Sequence, residues 1–547
     1  MPISKKKRSE NHDHQPSHLE PKNNKQGGSF APLRQKLFLI LWIATIVGNV
    51  GSFIRDVASS WLITELSASP AAVSLIQAAT TLPFFLLAIP AGVMSDILDR
   101  RKFLISIQFI LALSSTCLML LSATGLQSVI TLVLFTFTGG IGAALMGPTW
   151  QAIVPELVNR ENLKNAVALN SLGINISRAV GPAIGGVVLA QLGASFAYGM
   201  DVISYAFVIS ALWWWKREVK EHDELFEHFG GAFRAGLRYA KSSKPLHRVL
   251  FRTVLYFLFV SPVWALLPLI ARQLLGGTAG FYGLLLAAVG IGAIIGAIIL
   301  PILRNRLSSD QLLLTSAIIS AVVMCFLALS PPQWSAVIAT LFLGFAWITA
   351  LTTLNGVAQT ILPNWVRGRS LAIYLTTFNG AMTVGSLTWG FVAQYIGLSM
   401  TLALGAVILI IISVLANKAK LPLGEDDLSP ANHWEAPHTH DNIPLHRSPV
   451  MIQVEYRINK DDQKAFLRKL KKFAEHRRKD GAYSWGVVED TEDPEIILEW
   501  FLVESWAEHL RQHGRISKVD AQLQAEINAY HQGDKPKIKH FVGFKNH

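Results

Sequence analysis

Only two cysteines occur in 547 residues, Cys117 and Cys325, and both sit inside apolar runs. That excludes a disulfide framework and a cysteine-based metal site. No GxxxxGK[ST] loop is present, so ATP is not expected to drive whatever the chain does. Charge is also scarce. Asp, Glu, Lys and Arg make up 16% of the residues, against 51% hydrophobic, and mean hydropathy is +0.37. Those values are high for a soluble protein, and polar segments at both ends dilute them. The first 30 residues lack the apolar stretch and small-residue cleavage site of a secretory leader. They read as a disordered tail.

What the chain has is long apolar runs. Crossing a bilayer takes about 20 apolar residues, and twelve runs of that kind lie between residues 37 and 416. The connections alternate in character. One set carries Arg100, Arg101 and Lys102, then Arg160 and Lys164, a long basic loop, Arg304 and Arg306, and Arg367 and Arg369. The other set is short and nearly uncharged (SASP, ATGLQS, QLGAS, LLGGTAG, SPPQ, IGLS), and Arg272 alone breaks its pattern. The positive-inside rule puts the first set, and with it both termini, in the cytoplasm of a multi-pass protein of the cell (inner) membrane. The net charge of +12 follows from that topology, so the partner is the lipid bilayer and not nucleic acid.

The boundaries follow from composition. Residues 1–36 form the tail, 37–216 a six-helix bundle, 217–248 a cytoplasmic loop, 249–417 a second six-helix bundle, 418–448 a linker and 449–547 a soluble domain. In the loop, Leu225, Phe229, Phe233 and Leu237 have the spacing of an amphipathic surface helix. A plain tether is the alternative. The fold class is an all-α membrane protein of twelve transmembrane helices in two bundles, plus a cytoplasmic α+β domain. Six plus six is the layout of paired-bundle secondary transporters, whose substrate sits near mid-membrane between the halves.

The first run carries a polar stripe. Thr45, Asn49, Ser52, Asp56 and Ser59 follow at steps of four and three, which stacks them on one helical face. A span facing only lipid would not carry amides, hydroxyls and a carboxylate. In the fifth run, LNSLGINISRAVGPAIGG sets Gly173, Ser177, Gly181 and Gly185 every four residues, a row where another helix can come close. Pro182 opens the backbone beside it, and Gly186 follows. Ser171, Asn175 and Arg178 form a polar row next to them. Arg178 lies about 22 Å from the start of its helix. A central Arg costs about 2.5–3.5 kcal/mol on insertion scales, so it needs a partner. Asp56 is the first candidate and Asp201 the second, with Arg55 expected to snorkel outward. These four are the candidate proton-coupling or charge-gate residues, with a purely structural ion pair as the alternative. Asn49, Ser52, Asn175, Asn355, Gln359, Thr376 and Asn379 are candidates to line the cavity, or else helix-to-helix hydrogen bonds. Between runs two and three, GVMSDILDRRK offers Gly92, Asp96, Asp99, Arg100 and Arg101 as a tight loop whose charges pair with one another and with helix ends.

Residues 449–547 read as strand, helix, two paired strands, one or two helices and a last strand. That βαββαβ order is the ferredoxin-like one. The strand EIILEWFLVE is apolar on both faces, so its second face needs a cover, and a homodimer through residues 449–547 would supply one.

Two of these motifs resemble signatures of the major facilitator superfamily. GVMSDILDRRK is similar to its loop between helices two and three, and GPAIGG to the fifth-helix motif typical of its drug–proton antiporters. The order GNVGSFIRDVASSWLITELSASP, GVMSDILDRRK, NAVALNSLGINISRAVGPAIGG looks like the branch of enterobactin-exporter-like proteins, the transmembrane secretion effector type. The end of the chain is similar to the carboxy-terminal extension of some members. The resemblance implies twelve helices, alternating access and proton-driven export of amphipathic, siderophore- or drug-like molecules. There are departures. Ile97 and Asp99 stand where the general loop often has a basic residue and glycine, and Gly296 to Arg306 is at most a relic of a second copy.

The soluble domain also resembles small antibiotic-biosynthesis monooxygenases. Trp485, Trp500, Trp506, His509 and His513 could surround a flat ligand, or His509 and His513 could share a metal. Core tryptophans and solvated histidines are the preferred reading, so no catalytic residue, cofactor or metal is assigned. The expected partners are a small-molecule substrate and protons. The alternative function is a membrane-anchored enzyme or sensor whose soluble domain carries the activity.

Overall fold

The computed structural model describes residues 30–215, 229–363, 365–424 and 443–544. After a short turn at Ala31–Arg34 come α1 (Lys36–Leu66), α2 (Pro70–Ile97), α3 (Arg100–Ala123) and α4 (Val129–Leu157). α5 (Leu163–Trp214) has 52 residues but two arms, because Gly193 at φ 83, ψ 174 breaks the helix. Then follow α6 (Phe229–Ser242), α7 (Lys244–Leu269), α8 (Ala279–Arg304), α9 (Ser309–Ala328), α10 (Gln333–Thr360), α11 (Arg367–Ile396) and α12 (Leu398–Ala416). Among the described residues, ten helices are long and apolar enough to cross a membrane. That set takes α5 once and leaves out α11, whose row of Thr376, Thr377, Asn379, Thr383 and Ser386 dilutes its apolar character.

Polar residues in the short loops fix where the helices begin. Ser69, Asp99, Ser128, Ser243, Thr278 and Ser308 each accept a backbone N–H of the first turn of α2, α3, α4, α7, α8 and α9. Prolines inside α2, α4, α5, α7 and α8 are tolerated, because neighbouring helices re-satisfy the freed backbone. Pro268 precedes a π-helical turn, Ile270–Leu274, that ends α7.

α1 packs on α5 and α2 on α4 in the first half, and α8 on α10 and α9 on α12 in the second. The halves meet where α5 crosses α8 and α2 crosses α11. Gly186 of α5 lies against the Gly283 backbone of α8, and Gly290 against Ala179. Only hydrogen at those Cα atoms lets the two helices come so close. Thr81 and Thr383 hydroxyls are 2.7 Å apart, Ser69 donates to Gln394 at 2.6 Å, and Arg272 donates to Thr64 at 3.2 Å. All these contacts lie at mid-helix or toward the charge-poor loops.

The remaining elements are β1 (Val450–Arg457), α13 (Gln463–Lys479), β2 (Ser484–Glu489), β3 (Ile496–Val503), α14 (Trp506–Arg515), α15 (Lys518–Asn528) and β4 (Lys537–Val542). The four strands form one antiparallel sheet in the order β2-β3-β1-β4. Val450, Ile452, Val454 and Tyr456 of β1 and Ile497, Phe501 and Val503 of β3 are buried with Phe466, Leu470 and Phe473 of α13. Ile496, Leu498, Trp500 and Leu502, on the other face of β3, are half-buried.

This domain sits on the basic end of the second half. Arg238 of α6 pairs with Glu504 and, at 3.5 Å, with Glu508. Lys244 at the start of α7 pairs with Glu475 at 2.6 Å. The Arg515 guanidinium lies 4.2 Å from the ring of Trp365, between α10 and α11. α6 is thus a packed element. It turns Gly236, Tyr239 and Ala240 inward and leaves Leu237, of the expected surface stripe, exposed. Gly236 lies against Arg369. Leu225 and the side chains of Phe229 and Phe233 lie outside the described residues.

Candidate functional site

The polar stripe of α1 faces the second arm of α5. Ser52 Oγ is 3.4 Å from Tyr205 Oη, and Ser59 Oγ is 3.2 Å from Tyr198 Oη. Between them lies Asp201, with no solvent exposure. Ser115 of α3 donates to it at 2.6 Å. Gly51 makes the approach feasible, since a Cβ there would run into Ser204 and Asp201.

Arg55 ties this cluster together. It is 9% exposed and reaches into the bundle, where a snorkelling position had been expected. It donates to Tyr205 Oη at 2.6 Å and to Asp56 Oδ1 at 2.9 Å, and lies 3.5 Å from Asp201 Oδ2. The expected pairing of Arg178 with Asp56 or Asp201 is therefore replaced. Both acids have Arg55 as their ion partner, because the second arm of α5 packs beside α1 and brings Asp201 and Tyr205 to the face next to Asp56. Arg178 is half-buried near the crossing with α8, where its carbonyl lies by Gly290. The two carboxylates differ in access. The Asp56 side chain is 42% exposed and the Asp201 side chain is closed off.

The loop between α2 and α3 works as helix-end chemistry. Asp99 caps α3 by accepting Lys102 N–H at 2.9 Å. Arg100 donates to Ser95 O at 3.0 Å and to Glu156 of α4 at 2.7 Å. Arg101 donates to Leu212 O and Trp213 O at the end of α5, where free carbonyls attract a cation. Gly92 has open space around it in this conformation, and the Asp96 side chain lies outside the described residues.

The fifth-helix glycines divide by task. Gly173, Gly181 and Gly185 lie against Ile46, Phe53 and Ile54 of α1, whereas Gly186 faces α8. The polar candidates divide too. Asn175 donates to Ser171 O and Asn379 to Leu375 O, so both spend an N–H on their own helix. Gln359 donates to Asn355 at an exposed site. Asn49 is half-buried, and Thr376 has a buried hydroxyl without a partner. A cluster that the sequence reading missed lies in the second half. Trp347 is in ring contact with Trp264, Phe257 and Phe378 at 4.4–6.1 Å, and Phe257 with Phe378 at 4.5 Å.

In the carboxy-terminal domain, Trp485 donates to Glu499 at 2.9 Å, and Arg477 and Tyr456 complete a fully paired buried network. Trp500 lies over Gly486 on the half-buried face, and Trp506 packs on His509 and His540. His509 and His513 Nε2 atoms are 3.3 Å apart. Burial and then His540 push them down to about 3 and about 4. Among the described residues, no three His, Cys, Asp or Glu side chains group as a metal site.

Two helical halves that meet through glycine contacts at their crossings, with a half-exposed carboxylate beside a buried ion cluster, fit a membrane transporter. The chain belongs to the transmembrane secretion effector family, whose model matches residues 27–547. It is 22% identical to the staphyloferrin A transporter of Staphylococcus aureus, over 69% of this chain and 96% of that one. It is 26% identical to the multidrug efflux pump Tap of Mycolicibacterium fortuitum, over 70% and 95%. The inward-facing, unoccupied structure of a bacterial homologue of the lysosomal transporter Spinster superposes with a TM-score of 0.56 at 16% identity, over 71% of this chain and 97% of that one. Family and relatives are transporters, which leaves the enzyme-or-sensor alternative without support.

Proposed function

We propose that the chain is a proton-driven exporter of amphipathic small molecules in the cell membrane, working by alternating access. Relatives named for a siderophore and for multidrug efflux support the export of siderophore- or drug-like compounds. The twelve spans are α1 to α4, the two arms of α5, and α7 to α12. Residues 37–216 and 249–417 are the two moving halves. The basic loops put their own face, both termini and the domain at 449–547 in the cytoplasm. Its four-stranded antiparallel sheet, in the order β2-β3-β1-β4, supports the ferredoxin-like reading. The hydrogen bonds between the halves at Thr81, Ser69 and Arg272 lie at mid-helix and on the charge-poor side, which supports an inward-open reading of this conformation. A second copy of the domain covers the half-buried face of Leu498, Trp500 and Leu502.

One observation carries the coupling: a single buried cation, Arg55, is shared by an accessible carboxylate and a closed one. Asp56 takes the proton. Once neutral, it no longer competes for Arg55, which moves wholly onto Asp201 and Tyr205 and draws α1 toward the second arm of α5. Asp56→Asn should abolish proton-dependent efflux from energised cells while membrane abundance stays normal. Unchanged proton-dependent efflux by that variant removes Asp56 from the mechanism.

A further inference from the structure

A cavity of about 720 Å³ lies between the second half of the bundle and the carboxy-terminal domain. Neither part encloses it alone. The starts of α7 and α9 and the chain after α12 form one wall, and the ends of α13 and α14 with the start of α15 form the other.

Most of its polar groups are already matched. Asp310 pairs with Arg252 at 3.4 Å and accepts Leu421 N–H at 3.2 Å. Asp520 is bonded to His476 and accepts the Ser517 hydroxyl at 2.5 Å. Arg515 is held by Glu508 at 2.5 Å and stacks on Trp365. Two acceptors are left over. Asp480 is 8% exposed, and its carboxylate has no hydrogen-bond or ion-pair partner among the described residues. Asn417, on the opposite wall, has a buried Oδ1 without a donor.

Asp480 is also badly placed for folding. It is the C-cap of α13, where the helix end is already negative. Gly481, at φ 130, turns the chain there, and a Cβ on it would crowd Glu508. Burial, then the Asp520 carboxylate, hold the Asp480 carboxyl well above its usual range, against the opposing pull of Arg515, Arg477 and Lys479. An unmatched acid that weakens the fold is a mark of a site built for something else. Among the buried groups of the lining the surplus is of acceptors, so the missing partner there is a donor. Arg248 and Lys420 are exposed in the same lining and can take an anionic group if the ligand has one.

We propose that this interdomain cavity binds a small metabolite through a primary ammonium group held by Asp480 and Asn417. Because both walls are needed, binding fastens the domain to the second half of the transporter. That the ligand is an intracellular one rests on the orientation proposed above; binding itself does not, and its test needs no transport.

The experiment uses the purified full-length chain in detergent, with calorimetry and thermal unfolding. Putrescine supplies ammonium alone, ornithine adds a carboxylate, and succinate is the anion without an amine. Saturable binding and a rise in Tm with putrescine, ornithine or both, and none with succinate, is the expected result. Ornithine alone would bring in the exposed Arg248 and Lys420, and putrescine alone would leave them out. Asp480→Asn should weaken that binding at least tenfold while leaving the unliganded protein as stable as before or more so. Asn417→Leu should weaken it less. Three results overturn the proposal: no saturable binding of either amine, undiminished binding by Asp480→Asn, or a lower Tm of that variant without ligand, which would make the carboxylate structural.

Discussion

The two halves of the bundle share a turn and fill its surroundings differently. Gly193 joins the arms of α5 at φ 83, ψ 174, and Gly397 joins α11 to α12 at φ 82, ψ 166. Eight residues beyond each glycine stands Asp201 in the first half and Gly405 in the second. Asp201 is bonded by Ser115 of α3 and paired with Arg55 of α1. Gly405 lies against Met324 of α9 and Pro262 of α7. Ser115 and Met324 hold the same place, each fifteen residues beyond the first of its helix. One copy of the arrangement is therefore content with apolar packing, and the other holds a cation and two carboxylates. A buried ion pair is weak evidence for stability. What the second half does without, the first half does not need for its fold, and that is why the charges are read as coupling chemistry.

The comparison breaks most plainly if the ion cluster proves to be a folding requirement. Arg55→Met leaves Asp201 buried and unpaired, which should lower stability by about 3–5 kcal/mol. Adding Asp201→Leu removes the stranded charge and makes the site resemble its counterpart. The double variant should regain most of the lost thermal stability in detergent and still transport nothing. A double variant no more stable than Arg55→Met would show that the two halves are not equivalent scaffolds.

The contact between the halves gives a second, smaller test. Gly186 and Gly185 are neighbours, but the first meets Gly283 of the other half and the second meets α1 of its own. Gly186→Leu should wedge the halves apart on the charge-poor side. A cysteine pair at positions 69 and 394, where Ser69 now donates to Gln394, should then cross-link less, and efflux should fall at least tenfold. Gly185→Ala should leave the cross-link intact, at the ordinary overpacking cost of about 1–3 kcal/mol. Equal loss of the cross-link in both variants would mean that the halves do not move as separate bodies.

Much of this was legible along the chain. The steps of four and three in α1 marked Asp56, Ser52 and Ser59, and the four-residue glycine row marked the face of α5 that meets α1. Loop charge alternation and strand periodicity set the expected boundaries at 217, 249 and 449, and α7 and β1 begin at Lys244 and Val450. The pairing of Arg55 was not legible. Whether it turns outward or inward depends on which arm of α5 lies beside α1, and no periodicity in α1 carries that information. Tyr198, Tyr205 and Ser115 were missed for the same reason. The division between α14 and α15 did have a signal, the capping box of Ser517 with Asp520. The docking of the carboxy-terminal domain had none, since Arg238 with Glu504 and Trp365 with Arg515 are single contacts between segments far apart in sequence.

The smallest effect tests the turn itself. The backbone of Gly193 and Gly397 lies where a side chain costs about 1–3 kcal/mol through strain alone. No atom approaches either position within 4 Å of where a Cβ would stand, so packing adds nothing to that cost. Gly193→Ala and Gly397→Ala should therefore lower the Tm of the full chain by the same small amount, and efflux should persist in both. The equality is the informative part, because the surroundings of the two turns differ in charge while their dihedral angles match. If Gly193→Ala alone abolished efflux at matched stability, the turn above Asp201 would have to move during transport. The first half would then contribute a moving part, in addition to its charges, that the second half lacks.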